Sequence, residues 1–402
     1  MALVVKKFGG SSLADAECIR RVAWRIAETY SEGNDVVVVL SAQGDTTDDL
    51  IEKAKELNPT PSKREMDVLL STGEQASVAL MAIALEELGL PAVSLTGWQI
   101  GMNTDSVYGG ARIKGVMTER MRAELDRRRI VIIAGFQGIN KFDDITTLGR
   151  GGSDTTAVAI AVSLNADLCQ IYTDVEGVYT ADPNKVPKAQ KLEDITYDEM
   201  LELASLGARV LHNRSIEMAK RYGIKVEVLS SLVRKPGTTV KGVKKMEHNK
   251  ISGVAKDTNV ARVSLVGVED EPGVAFKVFR VIANAKINID IILQSIGSNN
   301  KSDINFTVEK DDLQSVVELL EENKEVIGFS KVTMDDKIAK VSIVGAGMMA
   351  APGIAAMMFE ALYDAKVNIG MIATSEIKIS VLVDEADADR AVAAIHAKFF
   401  EI

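Results

Sequence analysis

The stretch Val4-Val5-Lys6-Lys7-Phe8-Gly9-Gly10-Ser11-Ser12 sets the reading of the whole chain. Apolar residues from Leu3 lead into two lysines and a phenylalanine, then a Gly-Gly-Ser-Ser turn. A helical apolar period follows at once in Ala14, Cys18, Ile19, Val22 and Ile26. The pattern predicts a short strand ending in a two-glycine turn that opens a helix. Such a turn gathers free backbone N–H groups and a positive helix end at one point, which suits an anion. Glycine lets backbone approach a phosphate closely, and Lys7 adds a mobile positive charge. It is not a P-loop, since GxxxxGK(S/T) occurs nowhere in the chain. Taken alone, the stretch also reads as a tight strand-to-helix turn with one exposed lysine.

The rest of the chain bounds the possibilities. Its 402 residues suggest two to four domains. A hydrophobic fraction of 47% with 26% charged residues is ordinary for a globular protein. Without an apolar run of about 18 residues, no membrane span is expected, and no secretory leader is visible. Cys18 and Cys169 lie far apart, in keeping with reduced thiols and a cytoplasmic location. His212, His248 and His396 lack metal-ligand spacing, so no protein metal site is expected. A net charge of −10 argues against a nucleic-acid partner.

From residue 1 to about 240, strand-like runs alternate with helical patterns. The strands are Leu3–Lys7, Val36–Ser41, Ala92–Leu95, Ile130–Ala134, Leu168–Tyr172 and Lys225–Leu229. The helices are Ala14–Ser31, Thr47–Glu56, Met66–Leu88, Thr118–Arg128, Thr155–Leu164 and Asn213–Tyr222. Continuous β-branched runs such as Val36-Val37-Val38-Val39 fit strands buried on both faces. This predicts a three-layer α/β domain on a mainly parallel sheet, binding ligands at the carboxyl ends of its strands.

Thr238–Lys250 is polar and basic and reads as a linker, placed over residues 241–252 between domains. Beyond it the chain repeats itself. Val263–Gly267 matches Val341–Gly345, Pro272-Gly273 matches Pro352-Gly353, and Ala285–Ile289 matches Ala365–Ile369. Each copy reads as a ferredoxin-like βαββαβ unit (α+β), over 253–332 and 333–402. Either would be marginal alone, so the copies are expected to pair with each other or with copies from another subunit.

Four further stretches carry chemistry. Leu148–Thr156, LGRGGSDTT, packs three glycines and an arginine before a helix. Arg150 can grip a carboxylate through two parallel N–H bonds, while Ser153 or Asp154 can serve simply as the helix cap. Ser41–Asp49 follows the buried strand. Ser71–Gln75 puts Glu74 near a helix start, as a dipole partner or as a holder of a substrate ammonium. Tyr172–Pro183 forms a polar, aromatic-lined loop suited to a purine and ribose, or a plain turn cluster.

Taken together, KFGGSS, SAQGDTTDDL, STGEQ, TLGRGGSDTTA, YTDVEGVYTADP and the doubled C-terminal unit resemble the aspartokinase family over almost the whole chain. The first part resembles the amino acid kinase fold and the repeats resemble ACT domains. The resemblance implies transfer of phosphate from ATP, with Mg²⁺ bridging its phosphates, to L-aspartate, giving 4-phospho-L-aspartate and ADP. It implies that Lys7, Phe8, Gly9, Gly10, Ser12, Ser41, Thr173, Asp174, Tyr179, Asp182, Lys185 and Arg209 line the nucleotide. Thr47, Glu74, Arg150, Gly151, Gly152 and Ser153 would hold aspartate. Lys7 and Asp154 would be catalytic, the carboxylate orienting the lysine.

It also implies feedback by lysine and/or threonine bound between ACT copies. One site would use Asp270, Pro272, Gly273, Val274, Ala275 and Gln294 with Asn368 and Ile369. The other would use Met348, Ile354, Ser375 and Glu376 with Asn288 and Ile289. Asn213, Asn305 and Ala355 depart from the residues many relatives carry there. Asn213 is read as a cap at a helix start, and the other two leave the effector open. An even homo-oligomer is implied, and Met246 stands near where some relatives start a separate regulatory subunit. The alternative is an amino-acid sensor that has lost phosphoryl transfer. Its signature would be a broken Lys7, Arg150 or Asp154, and all three are present.

Overall fold

The computed structural model describes residues 2–206, 210–242, 251–295 and 301–401. Met246 and Arg209 therefore lie outside the described residues. The chain divides into two compact units, Met1–Tyr179 with Gln190–His248, and Thr180–Ala189 with Asn249–Ile402.

The first unit is built on an eight-stranded sheet. Its spatial order is Asp194–Thr196, Thr238–Lys241, Val226–Ser230, Leu168–Thr173, Leu3–Phe8, Asp35–Leu40, Ile130–Ala134, Ala92–Leu95. Every pairing is parallel except that of Val226–Ser230 with Thr238–Lys241. All six strands expected from the sequence are here. Val36 to Leu40 are buried without a break because helices cover both faces. On one face, Ile19, Val22 and Ile26 of helix Ala16–Ser31 and Val78, Met81 and Leu85 of helix Lys63–Glu87 pack on Phe8, Val38, Leu40 and Ile132. The other face meets helices Gly152–Leu164 and Asn213–Tyr222, through residues such as Val158 and Ile216 beside Ile171. Strand side chains alternate faces, so Phe8 turns to the first set of helices and Lys7 to the second.

Several expectations are corrected. The glycines at 9 and 10 lead into a short 3-10 turn, Gly10–Leu13, and the α-helix starts separately at Ala16 with Asp15 as its cap. Polar Thr238–Lys241 is a sheet strand with Thr238 fully buried, not the beginning of a linker. Its hydroxyl donates to the Leu192 carbonyl at 2.7 Å, which satisfies a polar residue inside the sheet. A second, four-stranded sheet (Ile113–Val116, Met102–Thr104, Gln137–Ile139, Ile145–Thr147) has strands of three or four residues, too short to show a period. Lys63–Glu87 is long and apolar enough by composition to cross a membrane, but buries Val78, Met81 and Leu85 against the central sheet.

The second unit carries the duplication. Strands Ala261–Glu269, Ile292–Ser295, Lys301–Val308 and Lys331–Asp335 form one antiparallel sheet. Ile338–Val344, Met371–Thr374, Lys378–Asp384 and Gly253–Asp257 form the other. Backbone angles repeat with the sequence: Gly273 and Gly353 have φ of 96° and 93°, Lys286 and Lys366 of 61° and 54°.

The expected boundaries need correction here as well. Gly253–Asp257 pairs with Ile338–Val344, so it fills in the second sheet the edge place that Lys331–Asp335 fills in the first. The first repeat is thus inserted into the second, and the boundary expected at 332/333 cuts a strand. Thr180–Ala189, expected in the first domain, belongs to this unit. Thr180 Oγ1 lies 2.9 Å from His396 Nε2, and Val254 donates its N–H to the Thr180 carbonyl at 2.7 Å.

Candidate active site

At the carboxyl ends of Leu3–Phe8, Asp35–Leu40 and Ile130–Ala134, the first unit opens a cleft of about 840 Å³. Lys7, Gly9, Gly10, Ser41, Thr47, Glu74 and Arg150 to Asp154 all line it. Residues spread over 148 positions of sequence thus converge because parallel strands end on one side of the sheet.

The two glycine turns contribute differently. Lys7 Nζ lies 2.7 Å from Asp154 Oδ1, with both side chains nearly buried. The ammonium is held over Gly9, where an added Cβ would stand 3.5 Å from Nζ. Gly10 is required by packing: a Cβ there would meet the Ala42 carbonyl oxygen at 2.7 Å. The 148–154 turn has Gly149 and Gly151 at φ 76° and 66°, a left-handed region that favours glycine. Gly151 is the N-cap of helix Gly152–Leu164, so neither Ser153 nor Asp154 caps it. Both sit in its first turn and line the cleft. A Cβ on Gly151 would come within 2.3 Å of His212. Arg214 ties this turn to its neighbour, donating to the carbonyls of Leu148 at 2.6 Å and Ala111 at 2.8 Å.

Glu74 lies in the middle of helix Lys63–Glu87 rather than near its start, and is 3% exposed. Its Oε1 accepts the Ala42 N–H at 3.1 Å, whereas Oε2 is buried with no hydrogen-bond partner. Burial pushes its carboxyl group up to about 7. A carboxylate in that state lacks one donor, and an ammonium group would supply it.

Other expected residues are placed elsewhere. Phe8 has no exposed side chain and stacks on Tyr172 at 4.4 Å, in the core rather than on the cleft. Ser12 Oγ is buried without a partner in the turn behind Gly10. Thr173 ends the strand beside Leu3–Phe8 and donates to Asp174 at 2.9 Å. Tyr179 bridges to Lys191. Asp182 accepts from Asn184 within its own turn, and Lys185 pairs with Asp389 at 3.0 Å, both in the second unit. Asn213 is not the cap of its helix; His212 is, and Asn213 donates to Ser205 Oγ at 2.8 Å. Sequence reading missed Asp67, Tyr108, Phe136 and Thr147, which also line the cleft. Asp67 and Glu74, seven residues apart, lie near one face of the same helix, but that spacing alone does not single out Asp67.

In the second unit, Met348, Ile354, Ser375 and Glu376 surround a cavity of about 280 Å³, with Ala355 on its wall. The matching residues of the first repeat occupy equivalent backbone: Gly273 caps helix Val274–Asn284, Val274 is buried, and Asp270, Pro272, Ala275 and Gln294 lie toward the surface. Asn288 and Asn368 are exposed, while Ile289 and Ile369 pack on their respective cores. Asn305 lies in strand Lys301–Val308, opposite Ser264 and Leu293.

The amino acid kinase family matches residues 2–230, and ACT domains match 263–323 and 341–399. The aspartokinase of Mycolicibacterium smegmatis is 53% identical, over 99% of this chain and 96% of that protein. The chain belongs to the aspartokinase family. E. coli aspartokinase III, crystallised with aspartate and ADP in its R-state, is 27% identical, with a TM-score of 0.83 over 99% of this chain and 100% of that one. The same E. coli enzyme with lysine and aspartate, in its T-state, gives a TM-score of 0.77 over 99% of both chains. The aspartokinase architecture is thus an amino acid kinase unit followed by an ACT pair, and the chain is an aspartate kinase.

Proposed function

We propose that the enzyme transfers the γ-phosphoryl group of ATP to the side-chain carboxylate of L-aspartate, giving 4-phospho-L-aspartate and ADP. The observation that carries this reading is the Lys7–Asp154 pair at 2.7 Å, where the two glycine turns meet above the cleft. The nucleophile is already a carboxylate, so no general base is needed. The task is to bring two anions together, and positioning and positive charge dominate it. Lys7 stabilises the transferring phosphoryl group and Asp154 aims it. Arg150, exposed on the cleft and free of ion pairs among the described residues, takes the substrate α-carboxylate. Glu74 takes the ammonium through its unpartnered Oε2. Thr47, Ser153 and the glycine turn Gly151-Gly152 complete that pocket.

ATP lies along the Gly9-Gly10 turn toward Thr173, Asp174 and Tyr179. Among the described residues no three His, Cys, Asp or Glu side chains converge as a metal site, and Asp154 is engaged by Lys7. Mg²⁺ would come carried on the nucleotide and would supply neutralisation of phosphate charge.

Lysine and/or threonine would act at the ACT copies, starting with the cavity of Met348, Ile354, Ser375 and Glu376. Effectors work there only through unequal affinity for two states. The exposed edge strand Ile292–Ser295, with Ile292 and Leu293 facing outward, supports pairing of copies into a homo-oligomer.

The test incubates the protein with ATP, Mg²⁺ and aspartate and traps acyl phosphate with hydroxylamine. Lysine and threonine are then added singly and together. Hydroxamate that needs aspartate is expected; its absence overturns the activity. Unchanged rates with either effector, alone or combined, overturn the regulation.

A further inference from the structure

We infer that Asp67 is a positioning residue that sets the substrate-carboxylate end of the cleft, acting through Thr147 and Gly109 on the turn that carries Arg150. This rests on the proposed assignment of Arg150 to the α-carboxylate.

Asp67 is 1% exposed, yet it lines the cleft from helix Lys63–Glu87. Its two oxygens collect four hydrogen bonds. The Gly109 N–H reaches both at 3.0 Å, the Thr147 N–H donates at 2.9 Å, and Thr147 Oγ1 donates at 2.7 Å. Only an ionised carboxylate accepts at all of these positions without offering a hydrogen, and such charge-assisted bonds are about twice as strong as neutral ones.

What the carboxylate joins gives the arrangement its purpose. Thr147 is the last residue of strand Ile145–Thr147, three positions before Arg150. Gly109 belongs to a separate loop that closes on the same turn, since a Cβ on Gly149 would stand 3.2 Å from the Gly109 carbonyl oxygen. The Ala111 N–H donates to the Thr147 carbonyl at 2.8 Å, so the loop and the strand end are locked together. One buried charge on a rigid helix therefore fixes both the strand end from which the Arg150 turn leaves and the loop that packs against that turn. Arg150 has no hydrogen bond or ion pair of its own among the described residues, so its place depends on that turn.

Asp67→Asn keeps the shape but turns an NH₂ donor toward N–H donors. In steady-state assays, KM for aspartate should rise about tenfold or more, as losing buried charge-assisted bonds implies. The values of kcat and of KM for ATP should stay within about threefold. In an Arg150→Ala background the same substitution should change KM for aspartate by less than about twofold, because its effect passes through Arg150. Thr147→Val, which removes one bond and keeps the amide, should give a smaller rise with the same dependence on Arg150. It also serves if Asp67→Asn fails to fold. An unchanged KM for aspartate, a loss shared equally by kcat and both KM values, or full additivity with Arg150→Ala overturns the inference. Failure of the proposed activity is read separately, from wild-type protein alone.

Discussion

Gly9-Gly10 and Gly151-Gly152 both follow a strand and precede a helix in the sequence, but the structure uses them in different ways. The first pair has ordinary backbone angles and is small because Ala42 lies against it. Its helix begins six residues later under its own cap, Asp15. What this turn brings to the cleft is a side chain, Lys7. The second pair has a left-handed Gly151 and opens a helix directly. It brings a helix N-terminus, the Asp154 carboxylate and the exposed Arg150. In the proposed reaction one wall would supply a held positive charge for phosphoryl transfer and the other a fixed frame for a carboxylate substrate. A glycine-rich turn before a helix does not by itself say which of these it is.

The comparison breaks first at Lys7. Lys7→Ala removes the only contribution assigned to the first wall beyond its backbone. Turnover should fall by roughly 10²–10³-fold, the scale of losing one electrostatic contact to a transition state, with KM for aspartate little changed. Near-normal kcat in a steady-state assay would remove the charge from that wall.

Glu74 sharpens the comparison from a third side. Its folded carboxyl group titrates near 7, against an unfolded value of 4.5, because it is buried. The folded state therefore holds the proton more tightly. The stability this confers is complete below the unfolded value and is lost as pH rises through about 7, on the order of 3 kcal/mol at most. Glu74→Gln should flatten that slope in denaturant titrations of the ligand-free enzyme between pH 4.5 and 7. If the substrate ammonium pairs with ionised Glu74 as proposed, aspartate should bind more weakly in wild-type enzyme as pH falls below 7. That dependence should vanish in the variant.

Gly151→Ala should cost less than Lys7→Ala in rate but more in stability. A side chain at φ 66° is strained, and its Cβ would collide with His212. A loss of about 1–3 kcal/mol is expected in chemical denaturation. An Ala variant as stable as wild type would show that the second turn is no more constrained than the first.

Much of this was legible in the residues. The six long strands were visible as continuous apolar runs, and the cleft's chemistry as charged residues inside glycine clusters. Three kinds of feature were not. Thr238–Lys241 hid because its polar residues are satisfied by partners far away in sequence. The swap of Gly253–Asp257 into the second repeat hid because each strand, taken alone, fits either sheet. Asp67 hid because a lone aspartate in a helical pattern carries no signal until the strand ends it holds are known. Local pattern reports elements and motifs, whereas long-range pairing decides which of them share a site.

The division between the two walls is tested most directly by calorimetric titration of Arg150→Ala with aspartate and, separately, with ADP. The account predicts that aspartate affinity falls about tenfold or more, the loss of a bidentate charge-assisted contact, while ADP affinity stays within about twofold. Equal loss of both ligands, or unchanged aspartate affinity, would contradict it.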